Sequence, residues 1–238
     1  MLYNEFNQPI GSEIKNYNIP LLPNISKLKG NFVKLEKLDE KHITHLFNHF
    51  SQKEEWSNWT YLSAEPLTDI KFFEEYIRNY INSSEMFFFA IVNNTTDEAL
   101  GIMALMNIDV KNSSIEVGHI QYSNDLKCTR MATEAQFLLM EYVFDTLGYR
   151  RYEWKCDNLN APSKKSAKRL GFVYEGTFRQ HRIYKNRNRD TSWFSILDKE
   201  WPRLKRGYKL WLDLSNFDEK NCFSSSGYVT TSVSICSI

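Results

Sequence analysis

No apolar run in this 238-residue chain is long enough to cross a bilayer. The longest, Met86 to Val92, is rich in aromatics and reads as a buried strand, so no membrane association is expected. Closely paired cysteines are missing too. Cys128, Cys156, Cys222 and Cys236 lie far apart without the spacing of a zinc site, and no apolar signal segment opens the chain. A reduced, cytoplasmic protein without a metal is the expectation. Neither sign of charge is in excess: 30 basic and 29 acidic residues leave +1. That balance offers no global attraction to nucleic acid or anionic lipid, so any basic site must be local. No internal repeat is visible.

What is present suits one generous domain. Residues 1–25 are polar and aperiodic and read as an N-terminal arm; 26–214 form the domain; 215–238, rich in Ser and Thr, read as a poorly ordered tail. Within the domain, Phe32 to Leu38 suggest a strand, and Asp39 caps a helix carrying Ile43, Leu46, Phe47 and Phe50. An aromatic loop holds Trp56, Trp59 and Tyr61. A second helix follows Thr68 or Asp69, with Phe72, Phe73, Tyr76, Ile77, Tyr80 and Ile81 in helical period. The period then becomes that of strands: "MFFFAIV", "ALGIMALMNI" and "SSIEVGHIQYS" predict an antiparallel meander. A helix from about Ala132 to Leu147 stops at Gly148, and alternation over Tyr152, Trp154 and Cys156 predicts a strand that this crossover can set parallel to its neighbour. Asn160 and Pro162 open a short helix ended by Gly171, and two strands and a closing helix complete the domain. The fold class is α+β, with a mostly antiparallel mixed sheet of about six to seven strands flanked by helices.

The stretch "LKCTRMATEAQ" carries the chemistry. A polar turn with Lys127 and Arg130 feeds a helix N-terminus, where unpaired N–H groups and the macrodipole favour an anion. An ordinary capped surface helix is the competing reading. Glu116 on the strand "IEVGHI" is a candidate general base and equally a solvated strand residue, and His119 either assists or packs. Gly118 can allow a bulge that exposes backbone N–H groups.

The order of these elements resembles the GNAT superfamily of acyl-CoA N-acyltransferases, from about Ser26 to Arg203. Lys127, Cys128, Thr129, Arg130, Met131 and Ala132, continued by Thr133, occupy the frame of the superfamily's pyrophosphate turn, Gln/Arg-x-x-Gly-x-Gly/Ala, with Arg130 where the first Gly is expected. "ATEA", "LGYRRYEWKCDNLNAPS", "RLGFVYEGTFRQ" and "NRDTSWFSILDKEWP" resemble the RimJ/RimL-like branch, the ribosomal-protein alanine N-terminal acetyltransferases. The resemblance implies a V-shaped splay in the sheet that holds acetyl-CoA, with its pyrophosphate on the turn and its pantetheine arm near Asn160 and Ser163. It implies acetyl transfer to a primary amine, a protein N-terminus or a small molecule, directly in a ternary complex and without metal. Glu116 would be the base, aided by His119. Ser163 would be the acid, because the usual Tyr is replaced by Ala167. The branch's own base carboxylate falls near His181 and Arg182, a departure from the pattern. Trp56, Trp59 and Tyr61 would border the acceptor, although core packing explains them equally well. The resemblance is compatible with a monomer or homodimer. A GNAT-fold module that binds CoA or a partner without catalysis is the alternative.

Overall fold

A computed structural model of the chain describes residues 1–15 and 17–216. Apart from Ser215 and Asn216, the tail expected over 215–238 lies outside them, as do Cys222 and Cys236. After a short hairpin of β1 (Leu2–Tyr3) and β2 (Pro9–Ile10), the chain builds an eight-stranded mixed sheet. Its strands are β3 (Lys27–Lys29), β4 (Val33–Lys37), β5 (Phe87–Asn93), β6 (Ala99–Asp109), β7 (Ser114–Tyr122), β8 (Arg151–Asp157), β9 (Val173–Tyr184) and β10 (Arg187–Leu197). The spatial order is β3-β4-β5-β6-β7-β8-β10-β9. The sheet exceeds the expected count by β3, whose three residues are too few to show a period. All pairings are antiparallel except β7 with β8, which the intervening helix crosses over to set parallel.

Helices cover both faces, which is why β5 is apolar at nearly every position instead of alternating. On one face α1 (Ile43–Phe50) and α2 (Ile70–Ile81) enclose Phe50, Trp59, Phe73 and Ile77 against Phe88, Ala90 and Ala104. On the other, α3 (Arg130–Glu141) and α5 (Trp201–Trp211) pack Leu139 and Tyr208 against Phe89, Leu105, Val117 and Trp154. The α3 helix runs on through a wider turn, Tyr142–Leu147, and stops at Gly148, whose φ of 79° suits a residue without a Cβ. Glu134 of the "ATEA" stretch has a structural task. Its buried carboxylate accepts the backbone N–H groups of Asn31, Phe32 and Val33 at 2.7, 2.7 and 2.8 Å, tying α3 to the β3–β4 turn. The N-terminal arm lies along the domain: the Tyr17 hydroxyl donates to Val110 O at 2.9 Å, and Leu21 N to Leu147 O at 2.8 Å. Among the described residues no helix is long and apolar enough to cross a membrane.

The feature that positions the site is a divergence in the middle of the sheet. β7 and β8 pair only from Ser114↔Arg151 to Val117↔Trp154, yet β7 continues to Tyr122 and β8 to Asp157. Beyond Val117 the two strands splay apart, which is the V that the resemblance implies. A bulge accompanies it: two residues of β7 stand opposite Met103 alone, between the pairs Ala104↔Gly118 and Ile102↔Gln121. The bulged residue is His119, at a φ of 48°, and not Gly118. Gly118 is needed for space, since a Cβ there would run into the Met106 sulfur.

Candidate active site

One arm of the V delivers the basic turn. From Ser123 the chain turns back on itself, with Leu126 N and Lys127 N both donating to Ser123 O at 3.1 Å, and Cys128 takes a φ of 58°. Thr129 then caps α3: its hydroxyl accepts Ala132 N at 3.2 Å and donates to Leu126 O at 2.7 Å. Lys127 is half-buried and reaches the side-chain oxygens of Asn58 and Asn124, while burial draws its ammonium below the ordinary range. The turn is clamped from the helical turn Lys53–Trp59, where buried Glu55 accepts Asn124 N at 2.7 Å. Arg130, the departure from the family frame, lays its guanidinium 3.9 Å from the centre of the Phe32 ring. Arg169, from the end of the short helix α4 (Ala161–Arg169), donates to the Thr133 hydroxyl at 3.1 Å. The first turn of α3 thus gathers Lys127, Arg130 and Arg169, a donor set that suits a pyrophosphate.

The other arm leads into α4. Asn160 caps it, its oxygen accepting Ser163 N at 3.0 Å. The Ser163 hydroxyl oxygen accepts the indole N–H of Trp154 at 3.0 Å, which leaves its proton to be donated. Cys156 lies against the same hydroxyl, and burial pushes its thiol up, away from a reactive thiolate. Cys128 is exposed, but among the described residues no histidine is hydrogen-bonded to its thiol.

The α2 face of the sheet carries the titratable groups. Glu116, 5 % exposed, receives Asn107 Nδ2 and Lys155 Nζ on one oxygen, both at 2.6 Å. Its other oxygen lies 3.8 Å from the place of a Gly118 Cβ. Lys155 also reaches Glu153 at 2.8 Å and sits 3.9 Å over the Trp193 ring, and Arg151 continues the chain of charge to Glu153 and Glu175. Across the splay, His119 Nδ1 stands 3.3 Å from the Tyr80 hydroxyl, which donates to Tyr76 at 2.6 Å. Burial, and then the Arg182 guanidinium, lower the His119 pKa and favour the neutral imidazole. His181 is lowered by burial, then by Arg182, Arg189 and Lys155.

Sequence reasoning missed Lys155, Trp193, Tyr80 and Glu55, which meet the site through the fold. Only Lys155 had a local signal, its outward place in the alternation of β8. Of the aromatic loop, the Trp59 expectation needs correction. The side chain is 1 % exposed, donates to Phe50 O at 3.2 Å and packs against Phe50 and Tyr76, so it belongs to the core. Trp56 is exposed, and the Tyr61 hydroxyl crosses to Leu159 O at 3.0 Å.

Comparison with known proteins agrees with this geometry. Residues 33–173 match the family described as Acetyltransferase (GNAT) domain. The chain is 31% identical over 144 residues to an uncharacterized N-acetyltransferase, p20, of Bacillus licheniformis, covering 59% of this chain and 80% of the relative. It is similar to the crystal structure of a GCN5-related N-acetyltransferase from Brucella melitensis, with a TM-score of 0.86 and 42% identity over 88% of this chain and 96% of that one. A probable GNAT-family acetyltransferase from Chromobacterium violaceum gives a TM-score of 0.76 and 36% identity, covering 82% of this chain and 98% of that one.

Proposed function

Because the chain belongs to the acetyltransferase (GNAT) domain family, we propose that it moves an acetyl group from acetyl-CoA directly to a primary amine, a protein N-terminus or a small molecule, in a ternary complex. The observation that carries this reading is the splay beyond Val117 and Trp154, with a basic helix N-terminus on one arm and Asn160 and Ser163 on the other. When bound, acetyl-CoA supplies an activated acetyl group as a thioester. The α3 first turn, with Lys127, Arg130 and Arg169, holds the pyrophosphate, and the Asn160 amide meets the pantetheine arm. The bulge at His119 frees backbone N–H groups of β7 for the thioester carbonyl.

An amine is mostly protonated at neutral pH and must lose a proton to attack. Glu116 takes that proton through water, with its charge oriented by Lys155 and Asn107, and neutral His119 assists. Ser163 gives its hydroxyl proton to the departing sulfur, its oxygen steadied by the Trp154 N–H. No metal and no covalent enzyme intermediate take part. The motifs quoted above favour the branch of ribosomal-protein alanine N-terminal acetyltransferases, with His181 and Arg182 marking a different acceptor end. Initial rates measured while both substrates vary test the scheme: intersecting double-reciprocal lines support direct transfer, whereas parallel lines that Cys128→Ala abolishes would establish a covalent thiol route.

A further inference from the structure

The β9–β10 hairpin reaches the aromatic loop on the α2 face of the sheet. A bulge at Gln180, with a φ of 50°, bends it, and its tip docks on the opposite wall: Lys185 Nζ donates to Trp59 O at 2.9 Å and pairs with Glu65 at 3.1 Å. Arg182 and Arg189 stand directly opposite each other in this hairpin. Like charges in cross-strand register are destabilising, and an anion bound between them would relieve that repulsion. Among the described residues no carboxylate comes within salt-bridge distance of either guanidinium, and the buried Arg189 Nε and Trp193 Nε1 have no hydrogen-bond partner.

The carboxylates that could serve are already committed. Glu116 and Glu153 hold Lys155, Glu175 holds Arg151, and Asp157 accepts the Tyr184 hydroxyl at 2.8 Å. Arg189 and Trp193 share a sheet face by the two-residue period, and Trp193 is the register partner of Lys155, which contacts Glu116. From Trp193 to Arg189 is roughly 13 Å along the strand at ~3.3 Å per residue. An extended peptide laid along β10 from Trp193 would bring its second to fourth residues past the arginine pair.

From this geometry we propose that the acceptor is a peptide N-terminus with acidic residues just behind the amine, whose carboxylates are bound by Arg182 and Arg189. The proposal rests on the acetyltransferase reading of the site. Peptides sharing one N-terminal residue, with glutamates, alanines or lysines at the next three positions, are to be compared for acetyl transfer. They are also to be compared for binding to the CoA-saturated protein by fluorescence anisotropy. The glutamate peptide is expected to show at least tenfold higher kcat/KM and tighter binding than the alanine peptide, with the lysine peptide weakest. Arg182→Glu, at an exposed position, is expected to reverse that order. Equal or inverted preference in the wild type, or no change in Arg182→Glu, would overturn the proposal while transfer itself stands. Charge-selective binding that Arg182→Glu abolishes, without any transfer, would sustain the acidic-peptide site and reject the catalytic reading.

Discussion

Glu116 meets two demands at once: it neutralises a half-buried lysine, and it has an oxygen free of that pair on the side of the bulge. The first demand alone makes it structural, so the substitution that tests it must spare the hydrogen bonds. Glu116→Gln can still accept from Asn107 and Lys155 while losing its charge, and Glu153 continues to hold Lys155. Its turnover is expected to fall by ~10²–10⁴ at neutral pH, the usual share of a general base, and to recover in part as pH rises and more amine is already neutral. Wild-type turnover across the pH range would leave Glu116 as a packing charge and move attention to His119. Ser163 also has two tasks, since its oxygen accepts the Trp154 N–H. Ser163→Ala should lower turnover more than it raises KM, because a proton for the sulfur is needed only as the bond breaks. It should also cost about 1–3 kcal/mol in a denaturant melt by stranding the indole. A melt that shifts with kcat unchanged would assign Ser163 to structure alone.

At the scale of elements, the start of α3 and the β3–β4–α1 corner make separate predictions. Lys127→Ala removes a cation beside the α3 first turn, and Arg130→Ala removes one together with its contact on the Phe32 ring. Each should weaken acetyl-CoA by ~1.5–3 kcal/mol, roughly ten- to a hundredfold, as read by calorimetry. Unchanged affinity in both would place the pyrophosphate elsewhere. In the corner, Glu36 is ringed by Lys27, Lys41 and His42 at 2.9, 2.5 and 3.3 Å. Burial alone would raise its pKa, but the hydrogen bonds from Lys41, Lys27 and His42 prevail and hold it below the usual carboxylate range. A depressed carboxylate contributes stability above its unfolded pKa, about 4.3, and loses it as pH falls through the folded value. Glu36→Gln should therefore melt lower than wild type at pH 7, with a gap that narrows below about pH 4. A gap that stays constant with pH would show that the charge is not what matters there. The sequence disclosed these elements where local chemistry acts: Asp39, Asp69 and Asn160 are caps in the structure as in the periodicity. It could not disclose β3, held by pairing with β4 alone, nor that the bulge expected at Gly118 falls one residue later, at His119.

At the scale of the molecule, one break in strand pairing organises the rest. The sheet separates after Val117 and Trp154, and the chain leaves each arm through a helix N-terminus, so two helix starts stand at the mouth of the V. The turn at Lys127 and the pair Asn160 and Ser163 were legible because each is a short contiguous motif. Lys155, Trp193 and Tyr80 were not, because three elements distant in sequence bring them to one face, and Trp59 packs in the core because an aromatic loop residue can be claimed by the core beneath it. The most direct test of the whole account is a single-turnover reaction with acetyl-radiolabelled acetyl-CoA and an amine acceptor, following label on the acceptor and free thiol together. The account predicts that both appear at equal rates and in equal amounts, with no label retained on the protein. Acetyl-CoA bound at the V with neither labelled acceptor nor free thiol formed, across protein N-termini and small amines alike, would contradict it.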